Sequence, residues 1–206
     1  MHAKKRREAL RYHRALPQGV SFQLKEYGIL DSLIYARLLG WHDERLMVPI
    51  FNRHGDIACF EQYVAVDDGF LLDEERSRVA WEIYGWDSLR LKPRQVVICE
   101  GSLERLVLGS RAFHAISIVG FPRSLKSEWL PFFEGISEVF VCFRRREVST
   151  LAAETLTQLL PQARMVELPA SVGDGGGLHD FFARLQHPRT DFLDLLENAR
   201  HGREAA

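Results

Sequence analysis

Val96-Val97-Ile98-Cys99 and Val139-Phe140-Val141-Cys142-Phe143 are unbroken apolar runs. Runs this short, without polar alternation, predict strands buried on both faces. From Gln95 onward such runs alternate with helical patterns. The expected order is strand 95–99, helix 102–110, strand 114–119, helix 124–133, strand 138–143, helix 147–160, strand 164–168 and helix 178–186. That alternation predicts βαβ units and a mainly parallel sheet covered by helices. Pro188 opens a last helix, 189–200, with Phe192, Leu195 and Leu196 on one face.

The first half reads differently. Residues 4–14 are helix formers, ended by Leu16-Pro17. Ser21 is expected to cap a helix to Tyr27 with Gly28 as its stop, and Asp31 a helix over 32–39 stopped by Gly40. Residues 46–52 and 56–66 predict a hairpin turning at Asn52-Arg53-His54-Gly55, with Pro49 marking an edge or a bulge. Asp67-Asp68-Gly69 closes it, and the acidic stretch to Arg78 predicts no element. The fold class is therefore α/β, a small N-terminal α+β subdomain before a Rossmann-like domain. The expected divisions are 1–93, 94–187, and a C-terminal helix and tail at 188–206.

Composition adds limits. The 206 residues are 46% apolar, enough for a core, with net charge −1. No global polycation announces nucleic acid, but basic residues cluster at Lys4-Lys5-Arg6-Arg7 and Arg144-Arg145-Arg146. A solvated tail and a phosphate contact both fit the first cluster. Three cysteines, Cys59, Cys99 and Cys142, lack CxxC spacing and read as buried small side chains rather than a disulfide framework or zinc site. No apolar stretch is long enough for a membrane span, and no apolar segment follows the basic N-terminus as in a signal peptide. The expected location is cytoplasmic, with no membrane partner.

The two apolar strands end in opposite charge, Glu100-Gly101 after one and Arg144-Arg145-Arg146 after the other. In open parallel sheets, ligands sit outside the carboxyl ends of the strands. The strand ending in Glu100-Gly101, the strand–helix spacing and the second apolar strand about 40 residues on resemble the Toprim fold, the metal-binding domain of bacterial primases, topoisomerases and some nucleases. Tyr12-His13-Arg14-Ala15-Leu16-Pro17, Tyr27-Gly28-Ile29, the run Leu46 to Ile57 and Ile83-Tyr84-Gly85-Trp86 extend the resemblance to the catalytic core of bacterial replicative primases over residues 12–186. It implies nucleic acid, DNA or RNA, as partner, Mg²⁺ or Mn²⁺ as cofactor, and a replication or helicase protein as associate. The zinc-binding module and long helical region that flank such a core have no counterpart in these residues.

The family offers a glutamate after its first strand and an Asp-x-Asp pair after its third. Glu100 fills the first place and Glu104 the acid four residues on, but the pair falls on Arg144 and Arg146, and Ser149 replaces a usual glycine. A guanidinium offers donors only and holds no metal. Two unit charges at 4 Å interact by roughly 4 kcal/mol near an effective dielectric of 20, and a divalent ion doubles that repulsion. No metal is therefore expected at the usual place, and the resemblance implies a catalytically degenerate primase-like protein.

Three outcomes stay open: Arg144 or Arg146 pairs with Glu100 or Glu104, the arginines bind phosphate directly, or Glu100, Glu104, Glu147, Asp174 or Asp180 rebuild a metal site. Catalysis by Glu100 and Glu104 needs the last. The candidate phosphate-binding set is Arg144, Arg145, Arg146, Arg53, Lys4, Lys5, Arg6 and Arg7. A structural subunit docking through Phe192, Leu195 and Leu196 is a further reading. Asp174-Gly175-Gly176-Gly177 lacks the Lys-Ser/Thr of a P-loop and reads as a connection. Ser102 reads as an N-cap, and His13, His54, His114 and His179 as ordinary polar residues.

Overall fold

The computed structural model describes residues 2–67, 69–77, 81–120, 124–184 and 188–201. Helix α1 (His2–Arg14) is followed by α2 (Gln18–Glu26) and α3 (Asp31–Ala36). Gly28, at φ 94°, ends α2 as expected, with Ile29 N–H returning to the Leu24 carbonyl. Ser21 is not the cap of that helix: Pro17 holds the N-cap position with extended backbone at φ −65° and ψ 145°, and the helix begins at Gln18. Gly40 is not the stop of α3 either. Leu38 turns left-handed at φ 54°, Leu39 N–H bonds the Ile34 carbonyl, and the helix ends at Ala36.

Gly40 instead opens β1 (Gly40–His42). A Cβ there would lie 2.4 Å from the Tyr12 carbonyl carbon, so only glycine lets α1 lie this close to the strand. Strands β2 (Arg45–Phe51), β3 (Ile57–Val66) and β4 (Gly69–Leu72) complete an antiparallel sheet ordered β1-β2-β3-β4. Pro49 sits in a central strand, but β1 pairs with β2 only through Met47, leaving the Pro49 side without a neighbour. The bulge lies between Ile50 and Phe51.

The second sheet is built from β5 (Glu82–Tyr84), β6 (Gln95–Cys99), β7 (Ala115–Val119), β8 (Glu138–Cys142), β9 (Ala163–Met165) and β10 (Arg200–His201), in the order β10-β9-β8-β6-β7-β5. Its inner pairs, β7-β6-β8-β9, are parallel, and both edges are antiparallel. It takes its first edge strand from before residue 93. The expected α/β architecture is thus present, a small antiparallel sheet beside a mostly parallel one.

Helix α4 (Trp86–Arg90) follows β5, and α5 (Ser102–Ser110) follows β6. The helix expected over 124–133 is a 3₁₀ segment, Ser127–Phe133, because Pro131 inside it withholds an N–H. Helices α6 (Glu147–Leu159), α7 (Leu178–Arg184) and α8 (Pro188–Glu197) complete the chain. The strand expected at 164–168 shortens to β9, and the end of the helix expected at 178–186 lies outside the described residues.

The apolar runs behave as their pattern predicts. Val97, Cys99, Phe140 and Cys142 pack on one side of the sheet, with α5, α7, α8 and the small sheet. Val96, Ile98, Val139 and Val141 pack on the other, with Trp129, Phe133 and α6. The last helix packs on the core, the default reading, rather than offering the docking face of the further one: Phe192 and Leu196 are buried and Leu195 packs against them. Phe192 lies within 6 Å, ring to ring, of Phe113, Phe181 and Phe182.

Candidate functional site

Parallel pairing of β6 with β8 sets Cys99 beside Cys142, so Glu100 and Arg144 leave the sheet together. Glu100 Oε2 accepts hydrogen bonds from the Arg144 backbone N–H at 3.2 Å and the Ser149 hydroxyl at 2.9 Å. One turn into α5, Glu104 is buried at 2% exposure. Its Oε1 is 2.8 Å from Arg144 Nη2, and its Oε2 accepts the His179 backbone N–H at 3.1 Å. The Arg144 guanidinium also interacts with the Tyr27 hydroxyl. The first expected outcome is therefore what forms, with Glu104 as the partner of Arg144.

Gly177 lies directly on this pair. A Cβ there would stand 2.6 Å from Glu104 Oε1 and 3.1 Å from Arg144 Cγ. The Gly-rich loop is a cover packed on the ion pair, held by Asp180 Oδ2 accepting the Gly177 N–H and by Arg145 exchanging backbone hydrogen bonds with Gly175 and Gly176. His179 is more than an ordinary polar residue. Its ring stacks on Tyr27 at 3.7 Å, and Nδ1 lies 3.0 Å from the Tyr27 carbonyl. α7 is thereby fastened to the N-terminal helices.

Burial pushes Glu104 up from its ordinary 4.5 to about 7, against the opposing pull of Arg144. Burial also acts to lower Arg144, but Glu104, Tyr27 and Glu100 outweigh it and hold the guanidinium above its usual value. The folded chain keeps a proton on Glu104 that the unfolded chain releases. Stability from this group is complete below the ordinary carboxylate range and is lost as pH rises through about 7. The wild-type advantage over Glu104→Gln should therefore fall by on the order of 3 kcal/mol between about pH 4.5 and 7 in denaturant titrations. A flat difference over that range would place Glu104 in an ordinary ionised state.

The resemblance implies Mg²⁺ or Mn²⁺ here, and the donor set does not fit one. The Glu104 oxygens are engaged by a guanidinium and a backbone N–H, and the cover glycine leaves no room above them. Of the acids offered for a rebuilt site, Glu147 and Asp174 are exposed and Asp180 is tied to Gly177. Among the described residues no three of His, Cys, Asp and Glu gather to hold a metal ion.

The expected phosphate-binding residues divide by environment. Arg145 Nη1 donates to the Leu168 carbonyl at 2.9 Å, while its buried Nε has no partner. Arg146 is exposed at the start of α6. These arginines line an open cleft of about 300 Å³ with Thr150, Met165 and Leu168. Lys4, Arg6, Arg7 and Arg53 are exposed on the other sheet's side of the molecule. Lys5 Nζ donates to the Ala58 carbonyl, which brings the basic end of α1 to the hairpin that carries Arg53.

Ser102 does not cap α5; Gly101 holds that position without a side-chain bond. Ser102 is wholly buried, its N–H 3.2 Å from Glu61 Oε2 and its Oγ 3.0 Å from the Tyr63 hydroxyl, which donates to Glu61 at 2.7 Å. This trio joins β3 to α5 beside Glu100. Its signal in the sequence is an acid in phase with Ile57 and Tyr63 along β3. Cys99 and Cys142 are buried thiols that desolvation raises well above the ordinary range, which leaves them unreactive.

No family model matches the chain, nor does any curated protein. Solved structures do. A DNA primase domain from Pseudomonas aeruginosa aligns with TM-score 0.72 at 19% identity, covering 96% of this chain and 78% of that one. The RNA polymerase domain of Mycobacterium tuberculosis primase DnaG aligns at TM-score 0.71 and 16% identity, over 98% of this chain and 84% of that one. The zinc-binding and RNA polymerase domains of Aquifex aeolicus primase align at TM-score 0.71 and 16% identity over 94% of this chain, which spans 59% of that protein's length. With two sheets in this order and a strand-end site between them, the chain has the fold of the bacterial primase catalytic core.

Proposed function

We propose that this chain is a primase-related protein that binds nucleic acid and has given up metal-dependent phosphoryl transfer at the site after β6 and β8. One observation carries the reading: the Arg144 guanidinium lies against Glu104, where the resemblance implies a divalent ion. A fixed internal cation satisfies the acid and leaves nothing for a metal to neutralise. Primer synthesis or strand cleavage through Glu100 and Glu104, the competing reading, requires displacement of a half-buried guanidinium.

Two solved relatives support nucleic acid as the ligand class: a DnaG primase catalytic domain bound to single-stranded DNA, and the M. tuberculosis domain with a double-stranded DNA oligomer bearing a 6-nucleotide overhang. In this chain phosphates fall to the exposed cations, Arg146, Lys4, Arg6, Arg7 and Arg53, with the half-buried Arg145 lining the same cleft as Arg146. Arg144 is withdrawn from that task by its pairing. The fitting biological role is accessory, beside a replication or helicase protein.

A labelled single-stranded oligonucleotide followed by fluorescence anisotropy tests this. Each phosphate contact contributes about −0.7 to the slope of log affinity against log salt. Arg146→Ala should weaken binding severalfold and make the slope shallower by about that amount. Affinity should be the same with excess chelator, and Glu100→Gln should leave it unchanged. Salt-insensitive or undetectable binding at low ionic strength rejects the nucleic-acid reading. Metal-dependent turnover lost in Glu100→Gln rejects the loss of catalysis.

A further inference from the structure

Helix α6 leaves more apolar surface in solvent than its seat on the sheet requires. Its inner face is occupied: Ser149, Ala153, Leu156 and Thr157 are buried. On the outer side Val148, Leu151 and Leu159 are 74%, 58% and 39% exposed. With exposed Thr155 between them, they recur at spacings of three and four, which lines them along one face. Scattered exposed apolar residues are ordinary, but an aligned stripe is the form of a contact surface. Glu147, Glu154 and Gln158, all exposed, run along one side of the stripe. Neither glutamate has a Lys or Arg within ion-pair distance among the described residues. Arg145 and Arg146 stand at the N-terminal end.

We propose that this face of α6 docks a helix of a partner protein, antiparallel to α6, whose apolar stripe is flanked by Lys or Arg. The acidic row selects the basic flank: cations beside Glu154 complete pairs that this chain leaves open. The orientation follows from the arginines, which repel a basic segment and favour the negative, carbonyl end of a helix. A second copy of the chain is the poorer occupant. Two α6 stripes paired about a twofold axis bring Glu154 toward its own copy, with no cation between them. The contact shares Arg145 and Arg146 with the proposed phosphate set but uses neither Arg53 nor the basic end of α1, and Leu151→Asp and Glu154→Lys touch no residue of that set.

The probe is a synthetic helix-forming peptide with leucines at the stripe positions and arginines along one flank; its counterpart carries glutamates there. Anisotropy titration should show the arginine peptide binding in the micromolar range, as a small interface allows. Leu151→Asp, on an exposed position, should leave the melting temperature unchanged and weaken binding at least about tenfold. Glu154→Lys should weaken the arginine peptide and strengthen the glutamate one. Equal binding of the two peptides to the wild-type chain overturns the proposal, as does binding indifferent to Leu151→Asp. A dimer in sedimentation equilibrium that Leu151→Asp dissolves would also overturn it, by making a second copy the occupant.

Discussion

Arg144→Ala should cost about 3–5 kcal/mol of stability above about pH 8, the range for removing one member of a buried ion pair. In a chain of 206 residues that corresponds to a fall in melting temperature of roughly 10 °C. The physical reason is Glu104, ionised at that pH in the wild type; in the variant, 2% exposed and left with only the His179 N–H, it must stay a bare buried charge or take up a proton, and either costs stability. The defect should shrink on acidification. Without the guanidinium, burial together with Asp180 and Glu100 holds the Glu104 carboxyl up against only the His179 N–H, so on acidification it takes up a proton and no bare charge remains. Removing both charges in Arg144→Met/Glu104→Leu should recover most of the loss, because a buried pair replaced by apolar groups is often neutral or better. Denaturant titrations of the three proteins at two pH values decide it. A loss under 1 kcal/mol at high pH would mean that solvent reaches Glu104.

The second large effect lies in the C-terminal helix. Phe192→Ala should destabilise by about 3–5 kcal/mol, as removal of a fully buried phenyl ring does. The cavity would open among Phe113, Phe181 and Phe182, and α7 carries two of those rings. Because α7 also carries His179, which donates to Glu104, the same substitution should loosen the cover on the ion pair. Hydrogen exchange is the measurement: the amides of Gly177 and His179 should lose protection along with α8. Exchange confined to α8 would show that the helix is an appendage. This separates α8, which is core, from α6, whose apolar side faces solvent.

The two effects meet at one place in the fold. Arg144 links the end of β8 to α5, and Glu104 links α5 to α7 through His179. Glu61 links β3 of the small sheet to the start of α5. An ion pair buried among three elements contributes to holding them in register. That is a structural task these side chains perform in the fold.

Much of this was legible in the chain. The parallel order was readable because Val96–Cys99 and Val139–Cys142 lack polar alternation, which no half-exposed strand can afford to lack. Gly28 as a helix stop follows from local backbone sterics alone. That Arg144 and Arg146 themselves offer a metal no ligand follows from side-chain chemistry alone, since a guanidinium carries no ligand oxygen whatever surrounds it. Elements decided by neighbours were not legible. β1, β4 and β5 are three or four residues each, too short to show a period, and exist because an adjacent strand offers hydrogen bonds. The apolar face of α8 favoured core over a docking surface, but which residues it packs on, Phe113 and Phe181 among them, was not legible.

The sequence by itself determined the fold class and the opposite charge at two strand ends, because hydrophobic period and side-chain chemistry are local properties. It left open which arginine meets which glutamate. Tertiary structure decided that, by bringing Gly177, 33 residues beyond Arg144, to within a Cβ's width of Glu104. Pairing of buried charge depends on distance and desolvation, and both are set by parts of the chain far apart in sequence.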